Sequence, residues 1–271
     1  MILFLDVSKA FDKVVREMVM RIIDDEQRSY QAIRELGLPT ETADHIISYL
    51  QQQGTVFEQF NIDPVIAKLV ADLHDGTWFV LDQNSGKVIK TRLGSRQGCR
   101  FGGLVLNLLY AVALRDVRQQ CSALGLCQNF QFPKRCPPWN VASTDGTLWE
   151  PYEMLDVTFV DDEASTLMAD SCDDILRDGA ILLDVLQATL SKYGMTINWE
   201  PGKTEALVLY RGYRSRKILA ELPRHPKTDQ RVLKVSLAQC VITRCYNHVG
   251  THVNTCGSLS DEVAYRLWAA H

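Results

Sequence analysis

Two adjacent acids, Asp161-Asp162, sit between two short stretches of alternating apolar residues, and that pattern narrows the possible local structure sharply. Leu155, Val157 and Phe159 alternate with Asp156 and Thr158 before the pair, and Ala164, Thr166 and Met168 continue after it. A period of two predicts half-buried strands, so the pair is expected at the tip of a hairpin. A matching lone acid, Asp6, ends the apolar run Ile2 to Leu5, which reads as a short buried strand. Three carboxylates gathered at strand tips could hold two divalent metals, the arrangement that clamps the attacking and leaving oxygens of phosphoryl transfer. Each piece also has a plainer reading. Asp pairs are common solvated turn residues, and an acid at a strand end is ordinary.

The rest of the chain supplies helices and further hairpins. Phe11, Val14, Val15, Met18, Val19, Ile22 and Ile23 recur at helical spacing and predict an amphipathic helix over residues 11–35. Leu38-Pro39-Thr40 breaks it, Glu41 to Gln53 reads as a second helix ended by Gly54, and Pro64 opens a third through Leu73. Trp78 to Leu81 and Val88 to Leu93 read as a hairpin around Asn84-Ser85-Gly86, followed by a tight turn at Gly94-Ser95-Arg96-Gln97-Gly98 and an apolar helix from Phe101 to Val117. Residues 125–151, rich in Pro, Gly and Asn, form a loop or insertion with room for a small hairpin. Asp173 to Tyr193 is a helix capped by Gly194. Thr196 to Asn198 and Ala206 to Tyr210 are short strands around the turn Glu200-Pro201-Gly202-Lys203; Val232 to Val241 and Tyr246 to Val253 are strands, and Asp261 to Ala270 a final helix. Antiparallel hairpins interleaved with helices predict an α+β fold, not a doubly wound sheet.

The 271 residues suffice for one large domain or a domain with an appendage. No run is apolar enough to span a bilayer, and residues 1–5 are too short for a signal sequence, so an intracellular protein is expected. The eight cysteines form no CxxC pair and read as reduced thiols. Cys240, Cys245, His248, His252 and Cys256 match no standard zinc spacing, and their interior reads as strand. Net charge is −4, which argues against a chain that is basic throughout. Residues 201–245 nevertheless hold ten Lys/Arg against three acids, a local +7, leaving −11 for the remainder. A basic segment beside an acidic, metal-binding face suits a polyanionic ligand; the plainer reading is a solvated basic loop.

Taken in order, these pieces resemble the palm of a reverse transcriptase, closest to the non-LTR retrotransposon type. Leu5-Asp6-Val7-Ser8-Lys9-Ala10-Phe11-Asp12-Lys13-Val14 looks like the first catalytic motif of that family. Gly94-Ser95-Arg96-Gln97-Gly98, with Asn107 further on, looks like the second, and Phe159-Val160-Asp161-Asp162 the third. Gly194-Met195-Thr196-Ile197-Asn198 through Lys203-Thr204-Glu205 looks like the fourth, and Tyr246-Asn247-His248-Val249-Gly250 like the primer-gripping motif. Each motif alone is weak; five in the family's order span essentially the whole chain.

The resemblance implies an RNA-directed DNA polymerase of α+β palm fold, with an antiparallel sheet packed on helices. It implies a palm core over residues 1–210, with the insertion at 125–151, and a basic linker, primer-grip strands and start of a thumb over 211–271. Asp6 and Asp161 would bridge two Mg²⁺ ions (Mn²⁺ as a substitute), with Asp162 as a neighbouring ligand and the Val7 carbonyl as a further oxygen. Lys203 would protonate the leaving pyrophosphate. Phe11 would exclude a ribose 2′-hydroxyl; Gln97 and Gly98 would contact template and nucleotide, and Arg96 would add a phosphate contact; Tyr246 and Gly250 would hold the primer. The implied partners are an RNA template, a DNA primer and dNTPs. Two departures stand out: Cys99-Arg100-Phe101-Gly102-Gly103 replaces the family's Pro-containing stretch, and the chain begins at the first catalytic motif, where fingers normally precede it. The second departure raises an alternative, a truncated and inactive remnant that at most binds nucleic acid.

Overall fold

The structure is a computed structural model that describes residues 1–80, 87–95, 99–133, 149–159, 162–210, 214–248, 251–255 and 260–269. In chain order, β1 (Ile2–Asp6) is followed by α1 (Ala10–Lys13), α2 (Arg16–Met20), α3 (Glu26–Arg34), α4 (Thr40–Gln53), α5 (Val56–Gln59) and α6 (Pro64–His74). The hairpin strands β2 (Trp78–Val80) and β3 (Val88–Lys90) precede the long α7 (Arg100–Ala123). Then come β4 (Gln128–Pro133), β5 (Trp149–Met154), β6 (Asp156–Phe159), β7 (Asp162–Thr166) and α8 (Cys172–Lys192). The chain continues through β8 (Glu205–Leu207), α9 (Ser215–Glu221), β9 (Val232–Lys234), β10 (Gln239–Thr243), β11 (Cys245–His248), β12 (Thr251–Asn254) and α10 (Ser260–Ala269). Among the described residues, no helix is long and apolar enough to cross a membrane.

Two compact units emerge, one of Met1–Asp6, Arg118–Val185 and Trp199–His271, the other of Val7–Val117 and Leu186–Asn198. The first contains a six-stranded sheet of order β6-β7-β1-β8-β10-β9. Strand β1 is antiparallel to both β7 and β8. Its successive residues Leu3, Phe4 and Leu5 are all buried, as an unbroken apolar run requires of a central strand covered on both faces. Leu182 and Leu183 of α8 are fully buried. At Gly179 of the same helix a Cβ would meet Met1 Sδ at 2.6 Å and Leu233 Cδ2 at 3.3 Å, so the missing side chain lets helix and sheet approach closely.

The α+β expectation holds, but the sheet is mixed rather than antiparallel, because β8 and β10 run parallel. The connection from residue 208 to 238 is long enough, with α9 and β9 inside it, for the chain to return in the same direction. Two expected single strands are hairpins instead. Val232 to Val241 folds back as β9 and β10 around a turn closed by Val235 N–H donating to Ala238 O at 3.1 Å. Tyr246 to Val253 becomes β11 and β12, with Cys245 facing Asn254. The expected strand Thr196 to Asn198 reduces to one antiparallel bridge, Val7 to Ile197.

The second unit corrects the expected helix over residues 11–35, which is three short helices. Val14 and Val15 adopt extended ψ angles of 121° and 100°, and Arg21 lies at φ 43°. The cause is competition for backbone groups. The Val14 carbonyl accepts from Gly94 N at 2.8 Å and the Phe11 carbonyl from Ser95 N at 2.7 Å, where a continuous helix would have bonded both internally. Gly94, at φ 89°, sits so close that a Cβ would lie 3.1 Å from both Asp12 Cα and Phe11 O. Gly94→Ala is therefore expected to destabilise by about 2–4 kcal/mol, combining left-handed strain with overpacking. Gly37 is the control: its φ is 73° but a Cβ there meets nothing within 4 Å. Equal shifts of the unfolding midpoint in the two alanine variants would contradict the close approach.

Every residue of α2 is buried, including Arg16. All five guanidinium N–H groups of Arg16 are used: Nε on Gly94 O at 2.6 Å, Nη1 on His74 O at 2.8 Å and Thr91 O at 3.2 Å, Nη2 on Thr91 Oγ1 at 3.0 Å and Leu93 O at 2.9 Å. One side chain thus holds the end of α6, the stretch after β3 and the Gly94 turn.

Candidate carboxylate site

Two of the three acids expected at strand tips, Asp6 and Asp162, meet where β1 ends and β7 begins. In the β1–β7 ladder Asp6 and Asp162 are direct cross-strand partners. Only Val160 and Asp161 separate β6 from β7 in sequence. Asp161, the third expected carboxylate, lies outside the described residues, as do Arg96, Gln97, Gly98 and Gly250. Among the described residues no group of three or more His, Cys, Asp or Glu side chains is placed to hold a metal ion.

Like-charged carboxylates directly opposite each other are unfavourable in a sheet unless compensated. The nearby cation is Lys203, whose Nζ lies 3.5 Å from Asp6 Oδ1. Lys203 is half exposed, so the pair contributes at most about 1 kcal/mol. Lys203 closes the turn before β8, with its N–H donating to Glu200 O at 3.0 Å. The next residue, Thr204, is buried, and its Oγ1 accepts from Asp6 N–H at 3.1 Å, fixing the end of β1. Glu205 is buried too and accepts from Gly202 N–H at 2.7 Å; burial pushes its pKa up against that bond.

Tyr246 completes the group from β11. Its ring stacks on Phe4 with centroids 4.3 Å apart and planes within 7°, and its hydroxyl donates to Lys203 O at 2.6 Å. The His248 ring tilts against Phe4 at 5.0 Å. Burial, reinforced by the negative charges of Asp6, Asp162 and Glu205, pushes the Tyr246 phenol up to about 12. Above pH 10 an unfolded chain ionises this phenol while the folded chain keeps the proton, so stability falls as pH rises from about 10 to 12. Ultraviolet titration of wild type minus Tyr246→Phe is expected to isolate one phenol ionising near 12. A difference step near 10 would place Tyr246 away from the acids.

The first unit therefore brings together Asp6, Asp162, Lys203 and Tyr246. The other described candidates, Val7 and Phe11, belong to the second unit. Val7 is buried and bridged to Ile197, and Phe11 is half-buried in α1, tied through its carbonyl to Ser95. The link between the first motif and the Gly94 turn is thus made by backbone hydrogen bonds. Sequence reasoning gave Phe4 no part in the site and placed Thr204 within the fourth motif without a role of its own. Thr204 was legible only as a small polar residue between Lys203 and Glu205, and Phe4 looked like any core aromatic.

The Cys/His run is strand, as its pattern suggested. Cys240 is buried in β10, Cys245 Sγ lies 3.7 Å from His252 Nδ1 across the β11–β12 hairpin, and Cys256 is outside the described residues. No model of a known protein family matches the chain, and no curated protein matches it. The functional reading consequently rests on the facing acids, the lysine beside them and the order of the motifs.

Proposed function

We propose that this chain is the palm of an RNA-directed DNA polymerase of a retroelement, transferring nucleotides from dNTPs to a primer 3′-hydroxyl on an RNA template. The observation that carries the reading is the register facing Asp6 with Asp162, with Lys203 on the same carboxylate. The donor chemistry fits Mg²⁺, a hard cation that takes carboxylate oxygens alongside substrate phosphate. Two Mg²⁺ ions held by Asp6, Asp161 and Asp162 would lower the pKa of the primer hydroxyl and offset charge on the leaving pyrophosphate.

The chain's own residues would do the rest. Lys203, weakly held by Asp6, is free to turn its ammonium to an incoming phosphate and to give up a proton to the leaving group. Tyr246, kept neutral by burial and the surrounding acids, presents no additional negative charge to a polyanion. The parts of Phe11 in selecting dNTPs and of Arg96, Gln97 and Gly98 in substrate contact rest on the resemblance alone. The test is primer extension on an RNA template with dNTPs and Mg²⁺ or Mn²⁺, comparing wild type with Asp161→Asn. DNA product from the wild type and none from the variant is the expected result; product from both would reject the assignment.

A further inference from the structure

We propose that the unit containing the six-stranded sheet carries a second polyanion site, an arginine-lined groove that holds the phosphodiester backbone of a single nucleic-acid strand. The groove measures about 780 Å³ and shares no residue with the carboxylate site. Arg216 of α9, Arg224 and Arg231 on the bridged loop before β9, and Arg244 between β10 and β11 all line it. Asp229 is the one acid in that lining among the described residues.

The four arginines divide into two kinds. Arg224 is committed to Asp229, bonding its carboxylate at 2.7 Å and its carbonyl at 2.8 Å, and Arg231 donates to Leu222 O at 2.5 Å. These three bonds brace the loop. Arg216 and Arg244 are exposed and, among the described residues, have no acidic partner. Two unneutralised guanidinium forks at one concave surface match phosphate oxygens, which they bind bidentately and more specifically than lysine does.

Three observations select a strand's backbone as the ligand. The chain as a whole is acidic, so this cluster is a local feature and not part of a general positive field. The sole aromatic in the described lining is Tyr210, half-buried and with its hydroxyl buried, so no exposed ring offers bases a stacking platform. The walls between the arginines are aliphatic at Val208, Leu219 and Ile242, and their uncharged polar side chains are Gln230, Thr255 and Thr243, the last donating its hydroxyl to Cys245 O at 2.8 Å, a sparse set for reading base edges. Contact with phosphates is what the two guanidinium forks favour over base readout.

The test is fluorescence anisotropy of a labelled oligouridylate with the full chain, across a range of NaCl concentrations, without dNTPs or divalent metal. Arg216→Gln with Arg244→Gln is compared with Lys217→Gln plus Lys227→Gln, two exposed lysines of the same segment that do not line the groove. Single-strand binding loses about 0.7 in log–log salt slope per phosphate contact, so the arginine variant is expected to show a slope shallower by about 1.4 and roughly ten-fold weaker binding near physiological salt. The lysine variant is expected to match wild type. Equal losses in both variants would overturn the groove as a site. Inorganic tripolyphosphate binding as tightly as the oligonucleotide, and lost in the arginine variant, would make it a small-anion pocket and overturn the strand assignment. Because no catalysis is read, failed primer extension with intact groove binding rejects only the polymerase reading, and the converse rejects only the groove.

Discussion

Substituting methionine for Arg16 is expected to cost about 3–5 kcal/mol of stability. The argument is one of orphaned acceptors. Methionine fills much of the arginine's volume and removes a charge that burial disfavours, which by itself would help. The carbonyls of His74, Thr91, Leu93 and Gly94 and the Thr91 hydroxyl oxygen stay where they are, however, and lose their shared donor. Each buried acceptor left without a partner costs about 1–3 kcal/mol, partly recovered where water enters. Lysine, with three N–H groups on a single nitrogen, cannot span the same set, so Arg16→Lys is expected to recover less than half of the loss. Urea denaturation of the three proteins measures this directly. A loss below about 1 kcal/mol in Arg16→Met would mean that water takes over the whole network.

Asp6→Asn is expected to lower nucleotide incorporation by at least about a thousand-fold if the polymerase reading is right. Metal-held stabilisation of developing charge is worth several kcal/mol, and each 1.4 kcal/mol is ten-fold in rate. Asparagine keeps the shape and the backbone bond from Asp6 N–H to Thr204, so the sheet should stay intact. The change also releases Lys203 from its carboxylate. Lys203→Gln separates the two effects. Loss of a general acid alone is expected to reduce the rate by about 10²–10⁴ and to change its pH dependence, whereas Asp6→Asn should also abolish the rise in melting temperature on adding Mg²⁺, as Asp161→Ala should. An unchanged Mg²⁺ shift in either acid variant would remove the metal site from the proposal.

Local chemistry made much of this fold legible, and distant chemistry hid the rest. Pro39 and Gly54 bracket α4, and Asp63-Pro64 opens α6 with the aspartate bonded to Val65 N–H at 2.8 Å, because caps and breakers act within a turn of themselves. β1 was readable because a strand buried on both faces must be apolar throughout. The break at Val14-Val15 was not readable: its cause is a pair of amides some eighty residues away that take the helix's carbonyls. The parallel pairing of β8 with β10 was hidden for a similar reason, since Glu205, Ala206 and Leu207 look the same whichever way their neighbour runs. In the site, Asp6 and Asp162 were legible as acids at strand ends, whereas their facing is set by the register of β1 on the distant β7. The Phe4–Tyr246 stack depends on where the separate β11–β12 hairpin folds back after β10, which no local pattern records.

The register that joins Asp6 to Asp162 also sets an order of events during synthesis. Strand β1 has no sheet partner near it in the chain: Ile2 pairs with Thr166 on one side and with Leu207 on the other. At ribosomal rates of about 5–20 residues per second, roughly 10–40 s pass between the emergence of β1 and that of β8. A strand of Ile, Leu, Phe and Leu has both edges open until β7 emerges and one edge open until β8 follows, so contact order this high makes slow closure and capture by a chaperone, or by another nascent copy, an inherent hazard of the chain.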